Sequence, residues 1–152
     1  MLDLMTKKII HTACVAQVAD KRQTIQQRLD DIQDSLGAET KSSVGDKYET
    51  GRAMLHLEKD KIMQQLATVL HSKKLLAQLD PTQTYSTAQQ GALVQTNQGT
   101  YYLGVSLGKI IIETTPYFAI SLASPIGQLL LQKKVGESIL FRQQEFTILH
   151  II

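Results

Sequence analysis

The 152-residue sequence predicts an α+β fold: an N-terminal antiparallel coiled-coil hairpin over residues 1–79, then a small β-rich domain with one short helix over 80–152. Three observations predict it. Two stretches carry apolar residues at alternating spacings of four and three, the signature of a helix with a narrow seam. Charge is segregated: residues 1–79 hold 12 Lys/Arg and 10 Asp/Glu, residues 80–152 only four of each. The charge-poor half is built of short apolar runs separated by turn residues, which read as strands.

The first helix follows from a seam through His11, Val15, Val18, Arg22, Ile25, Leu29, Ile32 and Leu36. Gly37 stands where a left-handed helix terminator belongs, and residues 38–44 read as a polar connection. The second seam runs through Leu55, Lys59, Ile62, Leu66, Val69, Lys73 and Leu76. Asp80-Pro81 closes it, because proline disfavours helical geometry in the residue before it. A short connection makes the two helices antiparallel neighbours. His11, Arg22, Lys59 and Lys73 interrupt the seams and are expected at its edge, with stems covered and polar ends in water.

Residues 82–90 are polar and read as a linker or irregular lead-in. The expected strands are 92–96, 100–105, 109–113, 118–122, 138–141 and 146–152, with turns at Asn97-Gln98-Gly99 and Leu107-Gly108. Residues 125–132 are the one helical candidate, with Pro125 at a first-turn position. Tyr101, Tyr102, Tyr117 and Phe118 are expected in the core or at a docking surface.

Between the two seams lies Gly45-Asp46-Lys47-Tyr48-Glu49. Asp46 and Glu49, three residues apart on a helix, share one face, so two carboxylates at a hairpin turn could address one divalent cation. The same spacing is that of a capping box, with Asp46 as N-cap and Glu49 reaching back, and both charges suit a helix N-terminus. The two roles compete for the same oxygens. Tyr48 reads either as an apolar staple or as a base-stacking residue. Lys41, Lys47 and Arg52 read either as solvated surface or as contacts to RNA phosphates.

Other chemistries find less support. Cys14 is the only cysteine, so no intrachain disulfide or thiolate cluster forms. A Cys14–His11 nucleophile is conceivable at i, i+3 spacing, beside the plainer reading of two side chains next to a seam. His56 and His71 lie too far apart along one helix to chelate one metal, and His150 lies in an expected strand. Net charge is +2, and neither half has the dense basic patch of an autonomous nucleic-acid binder. No apolar run approaches the roughly 18 residues of a membrane span, and the first residues lack the order of a signal peptide. A cytoplasmic, monomeric protein is expected.

The segment Ser124-Pro125-Ile126-Gly127-Gln128-Leu129-Leu130-Leu131-Gln132-Lys133-Lys134-Val135-Gly136-Glu137 resembles the C-terminal motif of the GreA/GreB transcript cleavage factors, and Glu145-Phe146-Thr147-Ile148-Leu149 looks like that family's closing strand. The order of hairpin and small domain is similar over nearly the whole chain. The resemblance implies an FKBP-like C-terminal domain that docks on RNA polymerase, with Ser124, Pro125 and Ile126 as docking residues. It implies a coiled coil entering the polymerase secondary channel and meeting nascent RNA only within that complex. Gly45, Asp46 and Glu49 match the family's Gly-Asp-x-x-Glu tip, whose acids help hold a Mg²⁺ and its water in the polymerase site. Such a protein is an accessory factor and not itself an enzyme; it has no intrinsic cofactor and completes its partner's active site. Where the family continues Asn-Ala-Glu-Tyr, this chain has Thr50-Gly51-Arg52-Ala53. A non-enzymatic channel-binding or interaction module of the same architecture is the alternative reading. Prolyl isomerisation, which needs an aromatic-lined pocket, finds little support in a chain with no Trp, five Tyr and three Phe.

Overall fold

The structure, a computed structural model, describes the backbone of residues 2–39 and 45–152 and the side chains of residues 2–38 and 49–152. Two long helices come first, α1 (Leu4–Glu39) and α2 (Gly45–Gln78). At 1.5 Å per residue they are about 54 and about 51 Å long. Strands β1 (Leu93–Thr96), β2 (Thr100–Leu103), β3 (Gly108–Ile112) and β4 (Thr115–Ile120) follow, then helix α3 (Pro125–Leu130), β5 (Ser138–Phe141) and β6 (Gln144–Ile151). The six strands form one mixed sheet in the order β3-β4-β2-β1-β6-β5, parallel only between β2 and β4. The architecture is the α+β one the sequence predicts.

By contact density the chain forms two compact units, Val18–His71 and Met1–Gln17 with Ser72–Ile152. In the hairpin unit the seam is a row of buried Leu29, Ile32, Leu36 and Ile62, flanked by half-buried Ile25, Leu55 and Leu66. Arg28 Nη1 reaches Gln65 Oε1 (3.4 Å) and Arg52 Nη1 reaches the Leu36 carbonyl (3.4 Å), which fixes the antiparallel register. Val18 and Val69 are also buried. The α2 seam is as expected, except that Lys73 is exposed and not at the seam edge.

The α1 seam needs correction at its N-terminal end. Val15 is 46% exposed and Arg22 is exposed, whereas Ile10, Cys14 and Val18 are buried. The buried face there follows spacings of four, not the heptad extrapolated from Ile25–Leu36. The reason is a different partner: this end of α1 packs on the sheet. His11 Nδ1 and Tyr102 Oη are hydrogen-bonded (2.7 Å), and Gln17 Nε2 donates to the Leu107 carbonyl (3.3 Å). Gly37 is no terminator either, because α1 continues through it to Glu39.

The sheet buries both faces. Val94, Tyr101, Leu103, Phe146, Ile148 and Ile151 join Leu130 of α3 in the main core. Leu93 and Tyr102, directly opposite each other in β1 and β2, lie on the other face and are fully buried. A register shift between Gln95 and Thr96 bulges the β1–β6 ladder, so Ile148 and Ile151, three apart, reach the same core. Gly104, at φ 132°, lies against Leu79 of the segment after α2; a Cβ there would stand 3.0 Å from Leu79 Cδ2.

The lead-in at residues 82–90 is irregular but integral. Ala88 is fully buried, and it exchanges backbone bonds with Lys133 and Gln132 (2.8 and 2.7 Å). Strand β4 begins at Thr115, earlier than expected, with Pro116 inside it. Pro116 lies beyond the stretch paired with β2 (Phe118–Ile120), so its missing N–H costs no ladder bond. Helix α3 stops at Leu130, two residues short of expectation.

Candidate functional site

Helix α2 begins at Gly45, so Asp46 and Glu49 both fall in its first turn, on one face at i, i+3 spacing. Glu49 is exposed. The side chains of Asp46, Lys47 and Tyr48 and the whole of Lys41 lie outside the described residues, so the capping and metal readings of Asp46 and the staple reading of Tyr48 lie there too. Arg52, grouped by sequence with the phosphate-contact candidates, is half-buried and bonded to the Leu36 carbonyl (3.4 Å). That contact gives Arg52 work inside the hairpin: its guanidinium donates to a carbonyl near the C-terminal end of α1.

Sequence reasoning overlooked what lies beside Arg52. An open groove of about 690 Å³ is lined by Gly51, Met54, Leu57 and Glu58 of α2 and Ser35 of α1. Met54 is 66% and Leu57 71% exposed. Their signal in the sequence is that two large apolar residues stand off the Leu55–Ile62–Leu66 seam. Leu55 and Lys61 complete the lining, so the groove is open and mixed, with Ser35, Glu58 and Lys61 as its polar side chains.

The second group of candidates surrounds the start of α3. Ser124 caps that helix: its Oγ accepts from the Gly127 N–H (3.1 Å) and donates to the Ser121 carbonyl (2.6 Å). Ile126 packs on the main core. Gly127 is buried, and a Cβ there would collide with the Ser121 carbonyl and press on Ser124 Oγ. The Ser-Pro-Ile-Gly run is thus explained by how α3 starts and seats itself, and Pro125 is the member left exposed.

A Cys14–His11 nucleophile is not formed. Cys14 is buried, and burial pushes its thiol up to about 11, so the reactive thiolate is suppressed. Burial also lowers the His11 pKa, against a weaker opposing pull from Asp80, and its Nδ1 is engaged by Tyr102. The Tyr102 hydroxyl is pushed up, chiefly by burial. Among the described residues, no group of three or more His, Cys, Asp or Glu could hold a metal ion, and no helix is long and apolar enough to cross a membrane.

Lys7 went unremarked in the sequence, and it is fully buried. Its Nζ donates to the carbonyls of Gln83 (2.7 Å) and Ile152 (3.2 Å) and lies 4.7 Å from the centroid of the Tyr85 ring. It ties the start of α1 to the lead-in and to the last residue of the sheet domain.

No protein-family model and no curated protein matches the sequence. A solved structure of the transcription factor Gfh1 is similar over 91% of this chain and 93% of that chain, with 19% sequence identity and a TM-score of 0.37. An overlap this loose transfers nothing residue by residue.

Proposed function

We propose that the chain is a transcription elongation regulator that binds RNA polymerase, inserts its helical hairpin in the secondary channel and presents Asp46 and Glu49 to the catalytic centre. The observation that carries this reading is the position of the two acids, in the first turn of α2 at one end of a hairpin unit with its own buried seam. The GreA/GreB-like pattern at Gly45, Asp46, Glu49 and Ser124–Glu137 supports it. The donor set fits the chemistry, since Mg²⁺ takes oxygen ligands and is commonly held by one or two carboxylates beside substrate phosphates and water. A Mg²⁺ bound there would supply Lewis-acid charge for hydrolysis of a phosphodiester. The chain's own part is positional: the helix holds two carboxylates on one face, and the hairpin carries them to a site the chain does not contain. Lys41, Lys47 and Tyr48 stand near enough in sequence to meet the RNA. Pro125, exposed ahead of the part-exposed Leu129, serves docking, with Ser124 and Ile126 holding it in place. The protein would act as an accessory factor in the cytoplasm, beside its polymerase.

The test is transcript cleavage on backtracked complexes of the cognate polymerase. Wild type should accelerate cleavage, and the Asp46→Ala/Glu49→Ala variant should lose on the order of 100-fold of that acceleration while still binding polymerase. Equal cleavage by wild type and variant sinks the carboxylate mechanism. One observation favours the second reading, a channel-occupying module without cleavage: Thr50-Gly51-Arg52 departs from the family pattern, and Arg52 is engaged with α1. Polymerase binding without stimulation selects that reading, and absence of polymerase binding removes both.

A further inference from the structure

The apolar seam of the hairpin stops short of the acids at its tip. Among the described residues, Leu36 is the last buried one of α1, and Gly37 and Ala38 beyond it are exposed. On α2 the seam cluster begins at Leu55. Ala53 and Met54 just ahead of it are exposed, as are Glu49 and Thr50. Glu49 thus stands about 9 Å beyond Leu55 along the helix axis, at 1.5 Å per residue. Composition weakens both helices in the same place. Gly37 lies inside α1 and Gly51 inside α2, and glycine is the poorest helix former after proline. A Cβ built at Gly37 would meet nothing within 4 Å, so close packing does not require glycine there.

Arg52 stands in that gap. It follows Glu49 by three residues, within reach of it along the helix, yet its Nη1 donates across the hairpin to the Leu36 carbonyl (3.4 Å). Leu36 and Arg52 are 16 residues apart in the chain with the turn between them, whereas Arg28 and Gln65, 37 apart, meet farther from the turn. The half-buried guanidinium therefore ties α2 to α1 where the apolar seam gives out. A strut at this point fixes the direction in which α2 leaves the seam. Glu49 lies less than one turn beyond it.

We propose that Arg52 is a positioning residue: by holding α2 to the Leu36 carbonyl it sets where the Glu49 carboxylate stands, and it touches neither the metal nor the RNA itself. The proposal rests on the cleavage reading above, in which Glu49 addresses the catalytic centre, and not on the channel-occupying alternative. A carboxylate displaced by about 1 Å loses much of its effect on a reacting centre, so a strut next to it matters more to rate than to stability.

Two measurements on the full chain test this. Hydrogen exchange of the free protein reads the first turns of α2. Arg52→Met keeps an apolar stem and removes the donor; amides at 50–54 should exchange on the order of fivefold faster, while those at 62–66 stay as in wild type. Arg52→Lys, a flexible point donor, should recover part of the protection. On backtracked complexes of the cognate polymerase, Arg52→Met should lower the maximal cleavage rate on the order of tenfold and leave the half-saturating concentration of the factor unchanged. Gly51→Ala, at a position that lines an open groove, stiffens α2 without restoring the charge. Added to Arg52→Met, it should return both readouts toward wild type. Wild-type exchange in Arg52→Met overturns the proposal, as does a wild-type maximal rate in that variant. A double variant that regains protection but not cleavage overturns it too, since the lost charge and not the lost strut would be at fault. A wild type that binds polymerase without stimulating cleavage is a separate failure: it removes the cleavage reading, and the task of Arg52 with it.

Discussion

The hairpin unit and the sheet unit bury their side chains in different ways. Among the described residues between Val18 and His71, the buried ones are Val18, Leu29, Ile32, Leu36, Ile62 and Val69, all apolar. Leu29, Ile32, Leu36 and Ile62 form one cluster across the two helices. The sheet unit buries two faces of six strands and includes buried polar groups with specific partners: Lys7 with two carbonyls, Tyr102 with His11, Thr96 with Gly99. A single seam is easily specified by sequence and easily loosened, whereas a two-faced sheet is redundant in its packing but intolerant of local misfit. Four substitutions probe that contrast.

The largest effect is expected at Gly127 in the sheet unit. A Cβ there has no space against the Ser121 backbone carbonyl, and backbone cannot swing aside as a side-chain end can. Gly127→Ala should cost on the order of 4 kcal/mol or prevent folding, measured by urea unfolding. Ser124→Ala, which removes only the cap, should cost about 1 kcal/mol. Equal losses from the two would mean that α3 shifts freely, and the sheet unit would be less demanding than the contrast requires.

Ile62 is the fully buried residue of the hairpin seam, packed with Leu29, Ile32 and Leu36. Ile62→Ala should cost about 3 kcal/mol, but locally. Hydrogen exchange should quicken in residues 18–71 while β1, β2 and β6 keep their protection, since units of a chain open separately. Uniform loss of protection across both units would show one cooperative body and erase the distinction.

The sequence made the hairpin unit legible because its two seams face only each other. Leu55, Ile62, Leu66 and Val69 could be placed from spacing alone. The same rule failed at Val15, because the residues around it answer to a sheet folded from chain 75 or more residues later, and no local pattern encodes that. Pro116 hid the start of β4: a proline reads as a break unless the side its N–H would face is known to be empty. The acids at Asp46 and Glu49 were visible as a spacing, but spacing describes a cap and a metal ligand pair equally well. Lys7 was invisible in a different sense. One lysine among 16 Lys/Arg reads as solvated surface, and its burial depends on carbonyls at Gln83 and Ile152.

Lys7 also yields the smallest and most specific expected effect, one that only the sheet unit can show. Burial lowers its pKa from the ordinary value of 10.5 to about 8, opposed by the Asp80 charge. Between those values the unfolded chain binds more protons than the folded one, so stability rises with pH across that window. The contribution is complete above about 10.5 and is lost as pH falls through about 8. Lys7→Met removes the donor and leaves two carbonyls without it, at a cost of about 2 kcal/mol near neutral pH. Because methionine does not titrate, the advantage of wild type over Lys7→Met should widen from pH 7.5 to pH 10. Urea unfolding of both proteins at several pH values, followed by circular dichroism, measures the difference directly. A difference that stays flat or narrows would mean that the two carbonyls and the Tyr85 ring stabilise the ammonium as well as water does. Lys7 would then join the sheet unit to the start of α1 as a charge at every accessible pH, not as a group strained by its burial.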